Sequence, residues 1–285
     1  MLISVRNRSL LFGLTTLLLG LNILVYVLVF SRNTDTLRVS FLNVGQGDAI
    51  LIESPSGVDV LIDGGRDRGA LRELGKHLGP FDRTITLVVE THPDADHIGG
   101  LPHVFDRYRV SHFLTSSIAH ETDMTASLAA ATKEEGVIPI SALRGTRIDL
   151  GKGTYLDVLF PDRNVSMIES NTGSVVLKLS YGSTSFLFTG DAPESIENWL
   201  VALDGEYLHS QVLKAGHHGS RTSTGQKFIE TVRPATVIIS AGKNNSYGHP
   251  HQDVVERIAG IGAETKNTFS GAVVFESNGQ VISAK

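Results

Sequence analysis

The segment Thr91-His92-Pro93-Asp94-Ala95-Asp96-His97-Ile98-Gly99-Gly100 places two histidines and two aspartates within six residues. It follows Thr86–Glu90, an apolar run that reads as a buried strand. Imidazole and carboxylate at this spacing suit a divalent metal of borderline or hard character. His92 and Asp94, two residues apart, can face one way from an extended loop. Asp96 and His97 can then turn toward a second centre as the chain enters a helix. The glycine pair lets backbone pass close to such a site. A solvated acidic loop with incidental histidines is the plain alternative, and the position at the end of a buried strand weighs against it. The chain has no cysteine. That excludes a disulfide framework, a Cys-ligated zinc finger, an iron–sulfur cluster, a thiol nucleophile and a lipoprotein anchor. Any metal falls to His, Asp, Glu or Asn.

Elements must position these groups. Short apolar runs punctuated by Gly and Asp predict strands at 37–43, 49–53, 58–63, 86–90, 110–115, 155–160, 174–180, 184–189, 211–214, 236–240 and 272–276. Helices are expected at 69–78, 101–107, 123–135, 193–202, 225–232 and 251–260, with Thr122 and Asp123 as caps of the third and Pro193 in a first turn. Ile50–Gly64 and Val176–Gly190 both read as strand, polar turn, strand, ending in Ile-Asp-Gly and Thr-Gly-Asp. Two such halves predict two sheets with helices outside, an α/β layered architecture.

The N-terminus is a separate problem. Leu10–Phe30 is 21 residues without a charge, and Thr15, Thr16 and Asn22 are its strongly polar members. A bilayer core needs about 20 apolar residues. The run is longer than a cleaved signal's apolar region, and Val29-Phe30-Ser31 is a weak cleavage site. The expectation is an uncleaved single span (10–30) within a short tail and linker (1–36), followed by one domain over 37–285. Arg6 and Arg8 before the span nearly balance Arg32 and Arg38 after it. The α-amino group tips the count toward a cytoplasmic N-terminus and an extracytoplasmic domain. The whole chain carries a net −5, not the basic balance of a protein that coats nucleic acid.

Seven motifs in order resemble the metallo-β-lactamase superfamily, and more narrowly the metal-hydrolase domain of the ComEC competence family. They are Phe41–Ala49, Leu61–Gly65, His92–Gly100, Asn171–Ser174, Leu187–Asp191, Gly216–Ser220 and Tyr247–Pro250, and together they span nearly all of 37–285. The resemblance implies an αβ/βα four-layer sandwich with its site between the sheets at one edge. It implies two divalent ions, Zn²⁺ or Mn²⁺. His92 and Asp94 would belong to one ion, Asp96 and His97 to the other, and Asp191 to both. One of His217 and His218, together with His249, would complete the shells; neighbouring side chains on a strand point to opposite faces, so one of the pair is expected to face in. Asp94 stands where the wider superfamily has a histidine, and the ComEC group commonly has that aspartate. Asn171 stands where many members offer a third histidine, and Asn43 where ComEC relatives usually have Asp. More oxygen donors make a harder site, which puts Mn²⁺ beside Zn²⁺.

Asp94, Asp96 and Asp191 are the candidate catalytic carboxylates. Asp48, Asp63, Asn171, Ser220, Lys214 and Arg221 are expected to meet substrate or to support the ligands; Lys214, Arg221 and Lys243 flank the motif loops and either meet a phosphate backbone or are ordinary surface charges. Gly45-Gln46-Gly47-Asp48 looks like a phosphate loop but lacks the Gly-Lys-Ser/Thr ending, so nucleotide binding there is rejected. His77, His103, His112, His120 and His209 have no motif context and are expected to be surface or structural residues. His251 reads as a helix start and Trp199 as packing. The ComEC resemblance implies phosphodiester hydrolysis of DNA outside the membrane in an uptake role. One span cannot be a channel, so a separate uptake channel protein is the expected partner. A hydrolase of a cell-envelope phosphodiester or phosphorylcholine ester is the alternative; a non-catalytic tethered binding module is weaker, because the core ligands are present.

Overall fold

A computed structural model describes residues 5–30, 35–79 and 81–285. The expected linker lies largely at 31–34, Arg32 included, outside the described residues. Helix α1 (Val5–Phe30) is followed by β1 (Leu37–Phe41), β2 (Ile50–Glu53), β3 (Asp59–Ile62), α2 (Gly69–His77), β4 (Thr84–Val89), α3 (Ala95–Ile98), α4 (Leu101–Arg107), β5 (Arg109–Thr115), α5 (Asp123–Glu135), β6 (Pro139–Ser141), β7 (Arg147–Asp149) and β8 (Thr154–Phe160). Then come β9 (Val176–Tyr181), β10 (Thr184–Phe188), α6 (Glu194–Asp204), β11 (Val212–Lys214), α7 (Gln226–Val232), β12 (Thr236–Ile239), α8 (Gln252–Gly260), β13 (Glu264–Asn267), β14 (Val273–Ser277) and β15 (Ile282–Ala284).

The strands form two sheets, ordered β15-β14-β1-β2-β3-β4-β5-β6 and β13-β12-β11-β10-β9-β8-β7. Each repeats one plan. An antiparallel hairpin, β2–β3 or β9–β10, is extended by three parallel strands, β4–β6 or β11–β13. This is the halving that the Ile50–Gly64 and Val176–Gly190 segments predict. Alternation then sorts side chains into layers. Val39, Phe41, Ile50, Ile52, Val60 and Ile62 meet Leu177, Leu179, Phe186 and Phe188 between the sheets. Leu51, Leu61 and Val88 point the other way onto α2 and α4 through Leu74, Leu101 and Val104. Leu187, Leu213 and Val237 likewise face Leu200, Phe228 and Ile258 on α6, α7 and α8. Strands buried on both faces read as unbroken apolar runs, which is why they are legible in sequence.

Thr122 caps α5 as expected: its hydroxyl accepts from the Thr125 amide while the Thr125 hydroxyl accepts from the Thr122 amide. Pro193 sits at the N-cap of α6 rather than inside its first turn. Strands β6, β7, β13 and β15 have no counterpart among the predicted ones. They are three or four residues long at or next to sheet edges, with largely exposed side chains that give no apolar alternation. Phe186 is fully buried, its ring centroid 6.1 Å from Phe275 and 6.4 Å from Phe188. Phe186→Ala is expected to cost about 3–5 kcal/mol in urea unfolding, from lost transfer energy plus the cavity left between the sheets.

The helix α1 window Arg8–Val25 is long and apolar enough to cross a membrane, and none of it is buried against the rest of the chain. A core helix would be covered by the strands and helices around it, and this one is not. Its polar side chains turn back onto the helix itself. Thr15 Oγ1 donates to the Leu11 carbonyl at 3.0 Å, Thr16 Oγ1 to that of Phe12 at 3.0 Å and Asn22 Nδ2 to that of Leu18 at 2.8 Å.

Candidate metal centre

The chemistry-bearing segments share one end of the molecule. Asp63 and Glu90–His97 follow the parallel strands β3 and β4, while Asp191, His217–His218 and Tyr247–His249 follow β10, β11 and β12. Ligands of α/β sheets gather outside the carboxyl ends of parallel strands, where loops from neighbouring strands converge. Close backbone packing holds these loops together. A Cβ on Gly47 would come within 2.0 Å of the Asp96 carbonyl oxygen, and one on Gly100 within 2.1 Å of that of Gly64. Both positions therefore exclude any side chain.

The Asp191 carboxylate is the hub. Its Oδ2 lies 3.3 Å from His218 Nε2, 3.4 Å from His97 Nε2, 3.7 Å from His217 Nε2 and 3.8 Å from His92 Nε2. His218 Nε2 is also 3.4 Å from Asp96 Oδ2 and 3.3 Å from His97 Nε2. On the other side His92 Nε2 is 3.7 Å from Asp94 Oδ2. Donors about 2.0–2.1 Å from a tetrahedral ion sit roughly 3.3 Å apart. The donor-to-donor separations around Asp96, His97, Asp191 and His218 match that spacing. Those around His92, Asp94, Asp191 and His217 are slightly wider. His92 Nε2 and Asp191 Oδ1 are buried without a hydrogen-bond partner. Buried imidazole and carboxylate atoms without hydrogen-bond partners, set among further carboxylates, fit divalent cations.

Supporting contacts fix the rings. Asp63 accepts from the Thr91 amide at 2.8 Å and the Thr91 hydroxyl at 2.7 Å, and its Oδ2 lies 2.8 Å from His97 Nδ1. That leaves His97 Nε2 for the centre, the arrangement by which a carboxylate orients a ligating imidazole. Thr222 Oγ1 lies 3.1 Å from His217 Nδ1. Ser170 Oγ donates to Asp94 Oδ1 at 2.5 Å.

The expectation that one of His217 and His218 faces away rested on a strand. Residues 216–219 instead form a tight helical turn in which both histidines take left-handed backbone angles, φ 48° and 57°. The turn aims both imidazoles at Asp191. His249 is not in contact with Asp191; its ring centroid lies 5.5 Å from that of His217 and stacks 5.7 Å from that of Tyr247. Lys214 departs furthest from expectation. It is buried, not facing a backbone, because it shares the inter-sheet face of β11 with Val212, and its Nζ is ion-paired with Asp48 Oδ2. Asp48 in turn places Oδ1 at 3.5 Å from His218 Nδ1. Asp48, His97, Asp191 and His218 together form a buried group whose donor atoms could hold an ion. Ser220 is buried beside the turn and accepts from the Thr222 hydroxyl at 3.0 Å. The Asn171 side-chain oxygen is buried without a partner. Arg221 and Lys243 are exposed. His251 begins α8, as read from sequence, and its Nδ1 accepts from the Arg221 amide. Sequence reasoning missed Ser170 and His120, whose Nδ1 lies 3.9 Å from Asp94 Oδ1; neither stands in a motif.

Protonation follows from this packing. Burial alone would raise the Asp191 carboxyl, yet the His218 and His97 imidazoles hold it well below the usual range. Burial opposes charge on His218, but Asp191 and Asp48 push it up to about 10. His97 rises well above its ordinary value against burial, through Asp191 and Asp63. His92 falls well below, through burial and then the neighbouring His97. In the metal-free protein, two imidazolium charges thus stand where cations fit.

Two facing sheets flanked by helices, with a His/Asp cluster at their carboxyl edge, define a two-sheet α/β metallohydrolase fold. The model of the Metallo-beta-lactamase superfamily matches residues 42–243, and the chain belongs to that superfamily. The αβ/βα sandwich expected from the motifs is the fold observed. ComE operon protein 3 of Bacillus subtilis is 32% identical over 236 residues, 77% of this chain and 30% of that protein. Competence protein ComA of Neisseria gonorrhoeae is 39% identical over 109 residues, 38% of this chain and 16% of that protein. The chain therefore spans less than a third of the length of these relatives. Among solved structures, the metallo-beta-lactamase fold protein YhfI of Bacillus subtilis covers 86% of this chain and all of its own, with TM-score 0.58 and 12% identity.

Proposed function

We propose that this chain is a membrane-anchored, metal-dependent phosphodiesterase that cleaves DNA outside the membrane. Residues 1–36 would be the anchor and 37–285 the hydrolase domain. The observation that carries the reading is the convergence of four histidine Nε2 atoms on one buried oxygen of Asp191. His92, Asp94, Asp191 and His217 would hold one ion; Asp96, His97, Asp191 and His218 the other, with Zn²⁺ or Mn²⁺ matching the mixed donor set. Divalent ions there supply charge to polarise a phosphoryl oxygen and to acidify water. The chain's own part is positional. Asp63 and Thr222 fix two of the rings, and Asp94 or Asp96 stands ready to accept a proton from the attacking water. The competence relatives support a DNA-related role, and a separate uptake channel as partner belongs to the same proposal. A 26-residue helix reaches about 39 Å at 1.5 Å per residue, enough to span a bilayer. Arg38 is engaged in the sheet with Glu276 at 2.9 Å, so Arg6, Arg8 and the α-amino group before the span face Arg32 alone close behind it, which favours a cytoplasmic N-terminus.

The test uses the full chain in detergent, stripped of metal and supplied with Mn²⁺, Zn²⁺ or Mg²⁺, with labelled single- and double-stranded DNA. Metal-restored cleavage is expected. A folded protein that binds two ions and cuts no DNA would sink the DNA reading and move the substrate to an envelope phosphodiester. Metal uptake should also release protons, because His97 and His218 are charged without metal and must be neutral to ligate. His218 titrates at about 10, so affinity should rise as pH increases through 7 and 8, about tenfold per unit for each proton displaced. Calorimetry in buffers of different ionisation enthalpy reads the proton count; a pH-independent affinity contradicts the assignment.

A further inference from the structure

Beside the centre lies a cavity of about 320 Å³ whose lining includes Asp94, Asp96, Arg66, His120, Met124 and Tyr247. Its walls come from separate parts of the chain. Arg66 lies between β3 and α2, His120 between β5 and α5, Met124 in the first turn of α5, and Tyr247 between β12 and α8. Asp94 and Asp96, one from each proposed ion site, connect the cavity to the reacting position. Small-ligand pockets run from about 300 to 1,000 Å³. This one is at the low end: room for one nucleoside and not for a duplex.

The lining has the chemistry of a nucleotide. Tyr247 is 55% exposed, yet its ring is held nearly parallel to that of His249, at 22° and 5.7 Å between centroids. An exposed aromatic that is held in place is a ready stacking surface for a base. Met124 offers an adaptable apolar wall. Arg66 is exposed, and among the described residues its guanidinium makes no ion pair, so its fork is available to a phosphate. We propose that this cavity is a nucleoside subsite. Tyr247 would stack the base next to the scissile phosphate, and Arg66 would grip the following phosphate. A paired base cannot enter without being unstacked, so the subsite makes the enzyme selective for unpaired strands. The inference rests on the phosphodiesterase reading above.

The experiment compares thymidine 5′-p-nitrophenyl phosphate with methyl p-nitrophenyl phosphate, esters that share a leaving group and differ by the nucleoside. With full chain and metal, Tyr247→Ala is expected to lower the ratio of their kcat/KM values about tenfold or more, while Tyr247→Phe keeps it within about twofold. Binding gives a second readout. Calorimetric affinity for thymidine 3′,5′-bisphosphate is expected to weaken about tenfold in Tyr247→Ala and in Arg66→Gln. A ratio or an affinity that Tyr247→Ala leaves within about twofold of the unmodified chain overturns the subsite. If the unmodified chain hydrolyses neither ester, the phosphodiesterase reading fails on its own, and the bisphosphate affinities alone decide the subsite.

Discussion

Asp191→Ala is expected to abolish metal-dependent cleavage, lowering the rate by roughly 10³-fold or more, the scale on which a catalytic unit acting as a whole is lost. The geometry gives the reason. Four histidine nitrogens lie 3.3–3.8 Å from one oxygen of this side chain. Removing that oxygen takes a donor from both proposed ion sites at once, so metal content should fall along with activity. The fold should survive, because the core between the sheets does not depend on Asp191. His218 supplies an independent readout. Burial opposes its charge, and Asp191 is the chief group sustaining it. Without Asp191, its titration should fall from about 10 toward or below the ordinary histidine value. Nuclear magnetic resonance on metal-free protein reads that shift. A variant that stays folded, keeps two ions and still cleaves would remove Asp191 from the hub.

The first half of the centre is legible because its donors are local. His92, Asp94, Asp96 and His97 are packed into one loop behind a strand whose apolar run announces itself. Asp191 is legible for the same reason, being held at the end of Thr184–Phe188. The second half depends on backbone angles that residue types do not announce. Left-handed conformations at two adjacent histidines are rare outside glycine and asparagine. Nothing in Gly216-His217-His218-Gly219 separates them from a strand end, so two inward imidazoles read as one. Lys214 misleads differently. A lysine beside a motif loop reads as a surface cation, yet its spacing from Val212 puts it on the inter-sheet face. The period-two pattern of β11 held that information, and charge overrode it. Contacts made across the sheets, such as Ser170 with Asp94 and Asp48 with Lys214, need the topology before they can be seen.

Lys214→Met is expected to destabilise the metal-free protein by about 3–5 kcal/mol, the cost of leaving one partner of a buried ion pair unmatched. Lys214 is 1% exposed and Asp48 is 2% exposed. Met keeps much of the apolar stem while removing the charge. Burial raises the Asp48 carboxyl, but Lys214 and then His218 outweigh it and hold the group at about 2. The sign of the pH dependence follows. A folded value below the unfolded one, near 3.9, contributes stability that is present above that value and is lost as pH falls through about 2. The gap between the unmodified chain and Lys214→Met should therefore be full at neutral pH and shrink between about 4 and 2. Urea unfolding in detergent with excess chelator isolates this from any stabilisation by bound metal. The double variant Asp48→Asn with Lys214→Met removes both charges and should recover most of the loss, which distinguishes an unmatched charge from a packing defect. If the double variant is no more stable than the single one, the pair is not what ties the loop carrying Asp48 to β11, and the orientation of His218 by Asp48 needs another cause.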